Sequence, residues 1–495
     1  MMGVGLYTTR MILSLLGVID YGIYNVVGGV VSMFAFLRGT LSTSSQRYFS
    51  IELEKKDKKS LNQWFCLNIT AFSILIILFI VVAETVGIWF VNFKLVIPSE
   101  RLYAANIIYQ LSIVSFVLSF FSIPYHALII AHERMSAFAY ISIVEALLKL
   151  FIVFILSIIT WDKLIIYGIL TSLATTSITL SYIYYNRVNF EESKYTFFWN
   201  KQKIKELLFF SGWHFYGTFS TTIRSHGINI LINLFFLPAV NAARAVSFQV
   251  YHAVSILSNN FFVALKPQIY KTYASGDYNE LYKLVLRSSS ICFFLVSILV
   301  FPIFANTNYI LTLWLKSVPE YTVVFTQLIL INGLIESVNG PTIAAILATG
   351  KIRNYELIAA SLTIMNLPIS YLALKLGAAP TATMVVSIVI VIFITMYRAY
   401  TLCKMIGISL RKYMVLFSKM IIVVFLLILF IYFTIYNSSY NFLILTAQSL
   451  FVFVVTAILD FILLFDKSDR LKLYKTLSQN KMIKVKYEKS RRRSL

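Results

Sequence analysis

Apolar stretches of about 18 or more residues follow one another along almost the whole chain, separated by short polar connections. Runs of this length are typical of helices that cross the hydrocarbon core of a bilayer. The pattern predicts an all-α polytopic membrane protein with about fourteen transmembrane helices, at approximately 3–17, 22–47, 62–90, 103–128, 137–160, 163–186, 208–236, 242–265, 285–305, 321–348, 355–375, 379–400, 414–436 and 440–465. The first of these spans, at 3–17, is too short to cross the hydrocarbon core. We therefore expect either that its helix begins before residue 3 or that it lies partly in the membrane–water interface.

An internal repeat organises these spans. The segment PYHALIIAHERMSAFAY from Pro124 returns 217 residues later as PTIAAILATGKIRNYEL from Pro341, and LGVIDYGIYNVV from Leu16 is loosely matched by LPAVNAARAVSF from Leu237. Six predicted spans separate the copies, so both halves enter the membrane in the same orientation, as in transporters built from parallel repeats. A repeat kept only for assembly is the alternative. The expected parts are an N-terminal lobe at 1–190, a C-terminal lobe at 191–405, two added helices at 406–465 and a basic tail at 466–495.

Composition and charge fit this reading. The chain is 59% hydrophobic and 13% charged, with a net charge of +22. About thirty basic residues fall in one set of alternate connections and about six in the other, which predicts that both termini are cytoplasmic. The basic tail is then explained by topology and by contact with anionic lipid, without a nucleic-acid partner. No cleavable signal peptide is expected.

The sequence offers little catalytic chemistry. Cys66, Cys292 and Cys403 lie far apart and are expected to be inert packing residues. No nucleotide-binding loop, metal-ligand cluster or nucleophile constellation is recognisable, and the predicted outward loops are short. We therefore expect a transporter without a cofactor, and a membrane-embedded glycan enzyme is disfavoured.

Two arginines interrupt the second predicted span. Arg38 shares a helical face with Ser42 and Ser45, whereas Arg47 points the other way near the cytoplasmic end. Because an intramembrane charge is costly, Arg38 is a candidate ligand-binding residue. Arg47 either binds the ligand as well or extends its guanidinium to the interface.

Polar stripes on three further spans predict a water-filled cavity rather than isolated interhelical hydrogen bonds. They consist of Thr222, His226, Asn229 and Asn233; Gln249, His252, Ser255 and Asn259; and Asn332, Glu336 and Asn339. Arg224 lies opposite the first stripe and needs another partner.

Ionisable residues on these spans are candidates for ion coupling. His226 and His252 either carry protons or are satisfied within the bundle. Glu145 and Lys149 are four residues apart and should largely neutralise each other. Glu336 has no such partner and is the more interesting acid, whereas Glu84 and Asp460 are expected at the interface. Inward-pointing cations outnumber acids, which favours an anionic, hydroxyl-rich substrate bound by Arg10, Arg38, Arg47, Arg224, Asn229, Asn233, Gln249 and Asn259.

Three segments carry a resemblance to a known family. They are LYTTRMILSLLGVIDYGIYNVVGGVVSMFAFL at 6–37, AHERMSAFAYISIVEALLKL at 131–150 and the stretch 211–277 with NAARAVSFQVYHAVS and KPQIYKTYASGD. Here the chain resembles the polysaccharide-transport branch of the MATE-like MOP exporter superfamily, the Wzx-type flippases of O-antigen and capsule repeat units. The resemblance implies a V-shaped bundle of two six-helix lobes with two helices added outside.

The resemblance also implies a function. Such a protein would move undecaprenyl-diphosphate-linked oligosaccharide from the cytoplasmic to the periplasmic leaflet of the bacterial inner membrane, driven by an ion gradient, beside a glycan polymerase and a chain-length regulator. Apart from the resemblance, we expect a monomer. The diphosphate-binding role of cavity arginines would fall on Arg10, Arg38 and Arg224. The late first helix and Leu237-Pro238 depart from the family pattern. A lipid II or teichoic-precursor flippase and a multidrug antiporter remain alternatives.

Overall fold

A computed structural model describes residues 2–32, 35–93, 95, 97–236, 238–315, 318–435 and 442–465, and within these ranges some side chains, that of Arg10 among them, lie outside the description. The described secondary structure is helical, without strands. The α-helices are α1 Met2–Ser32, α2 Ala35–Glu54, α3 Lys58–Val82, α4 Ile88–Phe93, α5 Leu102–Ala131, α6 Met135–Ile158, α7 Lys163–Asn189, α8 Lys201–Phe235, α9 Pro238–Ala274, α10 Tyr278–Ala305, α11 Thr307–Leu315, α12 Thr322–Ser337, α13 Asn339–Thr349, α14 Arg353–Lys375, α15 Ala382–Ile406, α16 Arg411–Ile435 and α17 Phe442–Leu464.

Among the described residues, nine helices are long and apolar enough to cross a membrane, and a tenth span results if α12 and α13, which meet at 40°, act as one. The helices α8 and α9 are not among the nine, because polar residues interrupt their apolar sequence. The all-α membrane architecture is therefore confirmed, while the count of fourteen spans remains a prediction.

The first two predicted spans have different boundaries in the structure. The predicted break after residue 17 is a kink inside α1 at Gly17, whose φ of +80° lies in a region that glycine adopts without steric cost. The second predicted span at 22–47 is divided between α1 and α2, so Arg38 lies in the first turn of α2 rather than in the middle of a long helix.

The described residues group into two compact units. The first comprises Met1–Ile223, Val263–Tyr278 and Ala344–Ser361, and the second comprises Arg224–Phe262, Asn279–Ile343 and Leu362–Leu495. Segments of both predicted halves thus occur in the first unit, and α8 and α9 each contribute to both units. The predicted division into lobes at residue 190 remains a prediction.

Helix α5 organises the first unit by packing against α1, α2, α3 and α7. In lipid, association of such helices is driven by close packing and interhelical hydrogen bonds more than by removal of apolar surface from water. Gly168 shows the close packing, since a Cβ there would lie 2.4 Å from Ile108 Cδ1. Arg101 adds charge pairing at the start of α5, where its guanidinium hydrogen bonds to Asp20 and donates to Asp162 Oδ2 at 2.6 Å.

Polar contacts also hold the segment that follows α7. His132 Nε2 lies 2.6 Å from Glu192 Oε1, and the His132 ring stacks on Phe190 at 4.0 Å. Asn62 of α3 donates to the carbonyls of Glu192 and Lys194, each at 2.8 Å. Burial raises the pKa of Glu192, but the hydrogen bond with His132, a backbone hydrogen bond and nearby positive charge outweigh it, so the net pKa lies below the ordinary value.

We expect Glu192→Gln to lower the free energy of unfolding of the detergent-solubilised protein at neutral pH by roughly 1.5–3 kcal/mol, the usual contribution of a hydrogen bond to a charged group. Since the folded-state pKa is depressed, this contribution is present above the unfolded pKa of about 4.3 and is lost as the pH falls through the folded value. Melting curves from pH 7 to pH 3 should show the two proteins converging in acid. Glu191→Gln is the control, because Glu191 and its partner Lys58 are exposed. A gap that persists unchanged in acid would contradict the expectation.

Candidate substrate-binding and ion-binding sites

A basic cluster lies in the first unit, formed by Arg38 of α2, His126 of α5 and Lys266 of α9. His126 is close enough to both Arg38 and Lys266 to interact with them electrostatically. Lys266 Nζ donates to Thr43 Oγ1 of α2 at 3.0 Å, and the Arg38 side chain is exposed. The structure therefore adds Lys266 and His126 to the predicted residue Arg38. In the sequence, Lys266 is one of the basic residues of the connections predicted to be cytoplasmic.

The basic cluster is not neutralised by acids. Among the described residues, neither Arg38 nor Lys266 forms an ion pair. Glu145 interacts electrostatically with Tyr182, as does Arg38, but the carboxylate of Glu145 accepts from Lys149 Nζ at 2.7 Å. The expected Glu145–Lys149 pair is thus confirmed, and the cluster keeps an excess of positive charge suited to an anion.

Arg47 is buried. Its Nε and Nη2 donate to the carbonyl of Ala348 at 3.2 and 3.0 Å, and its guanidinium carbon lies 4.8 Å from the Tyr48 ring centroid and 4.9 Å from that of Phe210. Gly350, at φ +74°, leaves room for it, because a Cβ there would lie 2.5 Å from Arg47 Nη2. A carbonyl and two aromatic rings thus satisfy the Arg47 charge inside the protein, and both predicted alternatives for Arg47 remain predictions.

A row of polar contacts joins α2 to α8 within the first unit, and we name it the α2–α8 seam. Thr40 Oγ1 is 3.5 Å from Thr218 Oγ1, Ser211 Oγ donates to Ser44 Oγ at 2.9 Å, and Tyr48 Oη donates to the Glu206 carbonyl at 3.4 Å. The α2 residues are spaced by four, which places them on one face of the helix. Their partners follow one another in antiparallel order along α8.

A buried carboxyl that the sequence did not single out lies next to the seam. His214 Nδ1 of α8 is 3.2 Å from Glu356 Oε1 of α14, and Glu356 is only 5% exposed. Gly217 makes this approach possible, because a Cβ there would lie 2.0 Å from Glu356 Oε2. The two partners are 142 residues apart, so helical spacing could not reveal the pair.

The second unit contains an acidic site around Glu336. Arg224 Nη2 lies 3.8 Å from Glu336 Oε1, and Tyr251 Oη donates to Glu336 Oε2 at 3.3 Å. Arg224 thus has the partner that its helical position required. Glu336 borders a cavity of about 310 Å³ that is also lined by Tyr251, Ser255, Ser258, Asn259, Cys292, Ser337, Asn339 and Arg398. Carboxylate, amide and hydroxyl oxygens around one cavity could hold a proton or a hard cation.

The remaining predicted residues have varied surroundings. Asn229 Oδ1 accepts from Arg244 Nη1, and the Asn229 carbonyl accepts from Asn241 Nδ2 at 3.0 Å, so this amide supports the α8–α9 corner. Four other candidates are exposed, namely His226, Asn233, Gln249 and His252. The Arg10 side chain lies outside the described residues. The ligand roles of all these residues remain predictions.

Comparison with known proteins identifies the fold. No family model matches the chain, and no curated protein matches it. Solved structures do match. A MATE mutant matches with a TM-score of 0.70 and 13% sequence identity, and the match covers 83% of this chain and 94% of that one. An outward-facing multidrug resistance MATE family transporter of the MOP superfamily matches with a TM-score of 0.67 and 12% identity, and the match covers 82% of this chain and 93% of that one. A MOP superfamily transporter from Pyrococcus furiosus matches with a TM-score of 0.63 and 13% identity, and the match covers 82% of this chain and 94% of that one.

At these identities the similarity establishes the fold and not the substrate. The structures that the chain resembles are transporters and not enzymes. The expected MATE-like fold is confirmed, and the chain is a multi-pass membrane protein with the architecture of MOP-superfamily transporters.

Replacing Gly217 by alanine should displace the Glu356 carboxylate from His214, because the added methyl occupies the place of Glu356 Oε2. We expect a loss of roughly 1–3 kcal/mol in stability, typical of overpacking at a buried contact. Gly212→Ala is the matched control in the same helix, since a Cβ at Gly212 meets nothing within 4 Å. Apparent melting temperatures of the purified proteins measure the difference. Equal values for the two variants would show that Glu356 does not occupy this position.

Proposed function

We propose that the protein is a flippase that moves polyprenyl-diphosphate-linked oligosaccharide repeat units from the cytoplasmic to the periplasmic leaflet by ion-coupled alternating access. The observation that supports this most is the basic cluster. Arg38 and Lys266 have no ion-pair partner among the described residues, although a charge inside a membrane protein normally acquires one. A diphosphate supplies the missing charge, and the forked donors of arginine suit its oxygens.

One structural relative offers a precedent for such reasoning. The Pyrococcus furiosus transporter is described as having a binding pocket of reversed polarity that suggests a different function for a MOP superfamily member. In the present chain the positive cluster likewise argues for an anion, in contrast to the cationic drugs that an acidic cavity would favour. Hydroxyl and amide groups of the predicted polar stripes would face the glycan, and the polyprenyl tail would remain in lipid.

Glu336 is the proposed ion-coupling residue. Its carboxylate borders a cavity and has only Arg224 at 3.8 Å as a charged partner within the described part of the chain, a distance at the limit of an ion pair. A proton or a sodium ion could neutralise it in the same place. We further propose an inner-membrane location with both termini cytoplasmic, a monomeric state, and action beside a glycan polymerase and a chain-length regulator.

A multidrug antiporter is the second candidate, because the Glu336 cavity could accept a cation and several matching structures are MATE transporters. The two functions predict different results. In an antiporter, Glu336→Gln changes drug tolerance and replacement of Arg38 has little effect. In a flippase, both replacements impair surface glycan and leave drug tolerance unchanged. A lipid II or teichoic-precursor flippase would share the basic cluster but would cause lysis on depletion.

We expect Arg38→Ala and Lys266→Ala each to weaken binding of a short-chain prenyl diphosphate about 10- to 100-fold, since a hydrogen bond to a charged group contributes roughly 1.5–3 kcal/mol. Arg38→Lys should retain part of the affinity because it keeps the charge but loses the fork. In cells the alanine variants should accumulate completed lipid-linked repeat units while surface polymer falls, as measured by mass spectrometry. Arg411→Ala, an exposed arginine at the start of α16, is the control. Unchanged binding in both alanine variants would remove the cluster from the mechanism.

Alternating access should require the α2–α8 seam to open. In a variant lacking the three native cysteines, which are buried and free, Ser44→Cys with Ser211→Cys should form a disulfide on mild oxidation, since the two hydroxyl oxygens lie 2.9 Å apart. The cross-linked protein should stop flipping a lipid-linked oligosaccharide in vesicles and should recover after reduction. The two single-cysteine variants, oxidised in the same way, are the controls. Flipping by the cross-linked protein at the full rate would show that the seam is not a gate.

A further inference from the structure

A carboxyl group is fully enclosed in the second unit, away from the groups assigned above. Asp460 lies on the apolar helix α17 and is 0% exposed, so its expected position at the interface is wrong. Helix α17 packs on α16, and apolar residues of both helices share one cluster with α10, including Val300, Val423 and Val452. This apolar cluster extends to the C-terminal end of α17 and so encloses the Asp460 carboxyl.

Within the described part of the chain, the Asp460 carboxyl has a single hydrogen-bond partner. Its Oδ2 is hydrogen-bonded to Ser297 Oγ of α10, and its Oδ1 has no described partner. No described cation pairs with it, and no other described titratable group interacts with it. A bare carboxylate here would be a buried charge with most of its acceptor sites empty, which costs several kcal/mol or more.

The hydroxyl of Ser297 contacts two oxygen atoms. Besides Asp460 Oδ2, Ser297 Oγ lies 2.9 Å from the carbonyl of Phe294, to which the hydroxyl can donate. A serine hydroxyl has only one hydrogen. If that hydrogen goes to the carbonyl, the contact between Ser297 and Asp460 must be bridged by a hydrogen that Asp460 carries.

We infer that Asp460 is a proton-binding site, held as the neutral acid, whose O–H donates to Ser297 Oγ and fastens α17 to α10. The unpartnered Oδ1 is then a neutral carbonyl oxygen, which is far less costly to bury than half of a carboxylate. The proton bridges Asp460 and Ser297, which lie on different helices and are 163 residues apart in sequence. This role is independent of the proposed cargo, since neither residue belongs to the basic cluster or to the Glu336 cavity.

Infrared difference spectroscopy of the purified full-length protein tests the inference. Comparing wild type with Asp460→Asn at neutral pH should show the loss of one protonated-carboxyl C=O band, a band that shifts in heavy water. Glu192→Gln, which removes a carboxyl whose pKa lies below the ordinary value, should instead remove carboxylate bands. Loss of carboxylate bands in Asp460→Asn would overturn the inference, because it would show that Asp460 is ionised.

Ser297→Ala provides an independent reading if Asp460→Asn does not fold. Loss of the acceptor should move the protonated-carboxyl band to higher frequency without removing it, and an unmoved band would overturn the Asp460–Ser297 bridge. Stability gives a second readout in variants that fold. Asp460→Asn keeps an N–H donor for Ser297 and should melt close to wild type, whereas Asp460→Ala should melt lower. Equal losses in the two variants would contradict the fastening role.

Discussion

A charge placed within a membrane protein is costly unless another group satisfies it, and this constraint determines much of the structure. Arg47 is satisfied by a carbonyl and two aromatic rings, Arg101 by two aspartates, and Arg224 by Glu336. Each solution joins distant segments, because a helix cannot offer an arginine enough partners from its own turns. The charges therefore act as fixed points around which apolar helices, whose mutual packing has little directionality, adopt one arrangement.

The same constraint distinguishes the charged groups of the two units. In the first unit the basic cluster has cations in excess, whereas in the second the Glu336 carboxylate borders a cavity and lies 3.8 Å from Arg224. Under the proposed function, the basic cluster would bind the anionic cargo and Glu336 the coupling cation.

The sequence predicts the features that depend on local spacing. Hydropathy indicates an all-helical membrane protein, the four-residue spacing predicts the Glu145–Lys149 pair, and the helical angle of Arg224 shows that its partner lies on another helix. Contacts between residues that are far apart in the sequence are not predicted by such spacing. Lys266 meets Thr43 across 223 residues and Arg47 meets Ala348 across 301, so neither neighbour follows from periodicity. The sequence places Lys266 in a basic connection between spans and leaves Arg47 either as a ligand-binding residue or at the interface.

Asp460 shows why burial is harder to predict than helicity. Its distance from the end of α17 suggests an interfacial position, but the side chain's environment is determined by α10 and α16, which cover it. An acid in such a place can persist only as a neutral group or with a cation, and Ser297 supplies neither charge nor a second hydrogen. The bound proton then stabilises the contact between α17 and α10, as a side chain would. A membrane helix can thus carry an acidic residue that is fully enclosed, and such an acid differs in kind from Glu336, which borders a cavity.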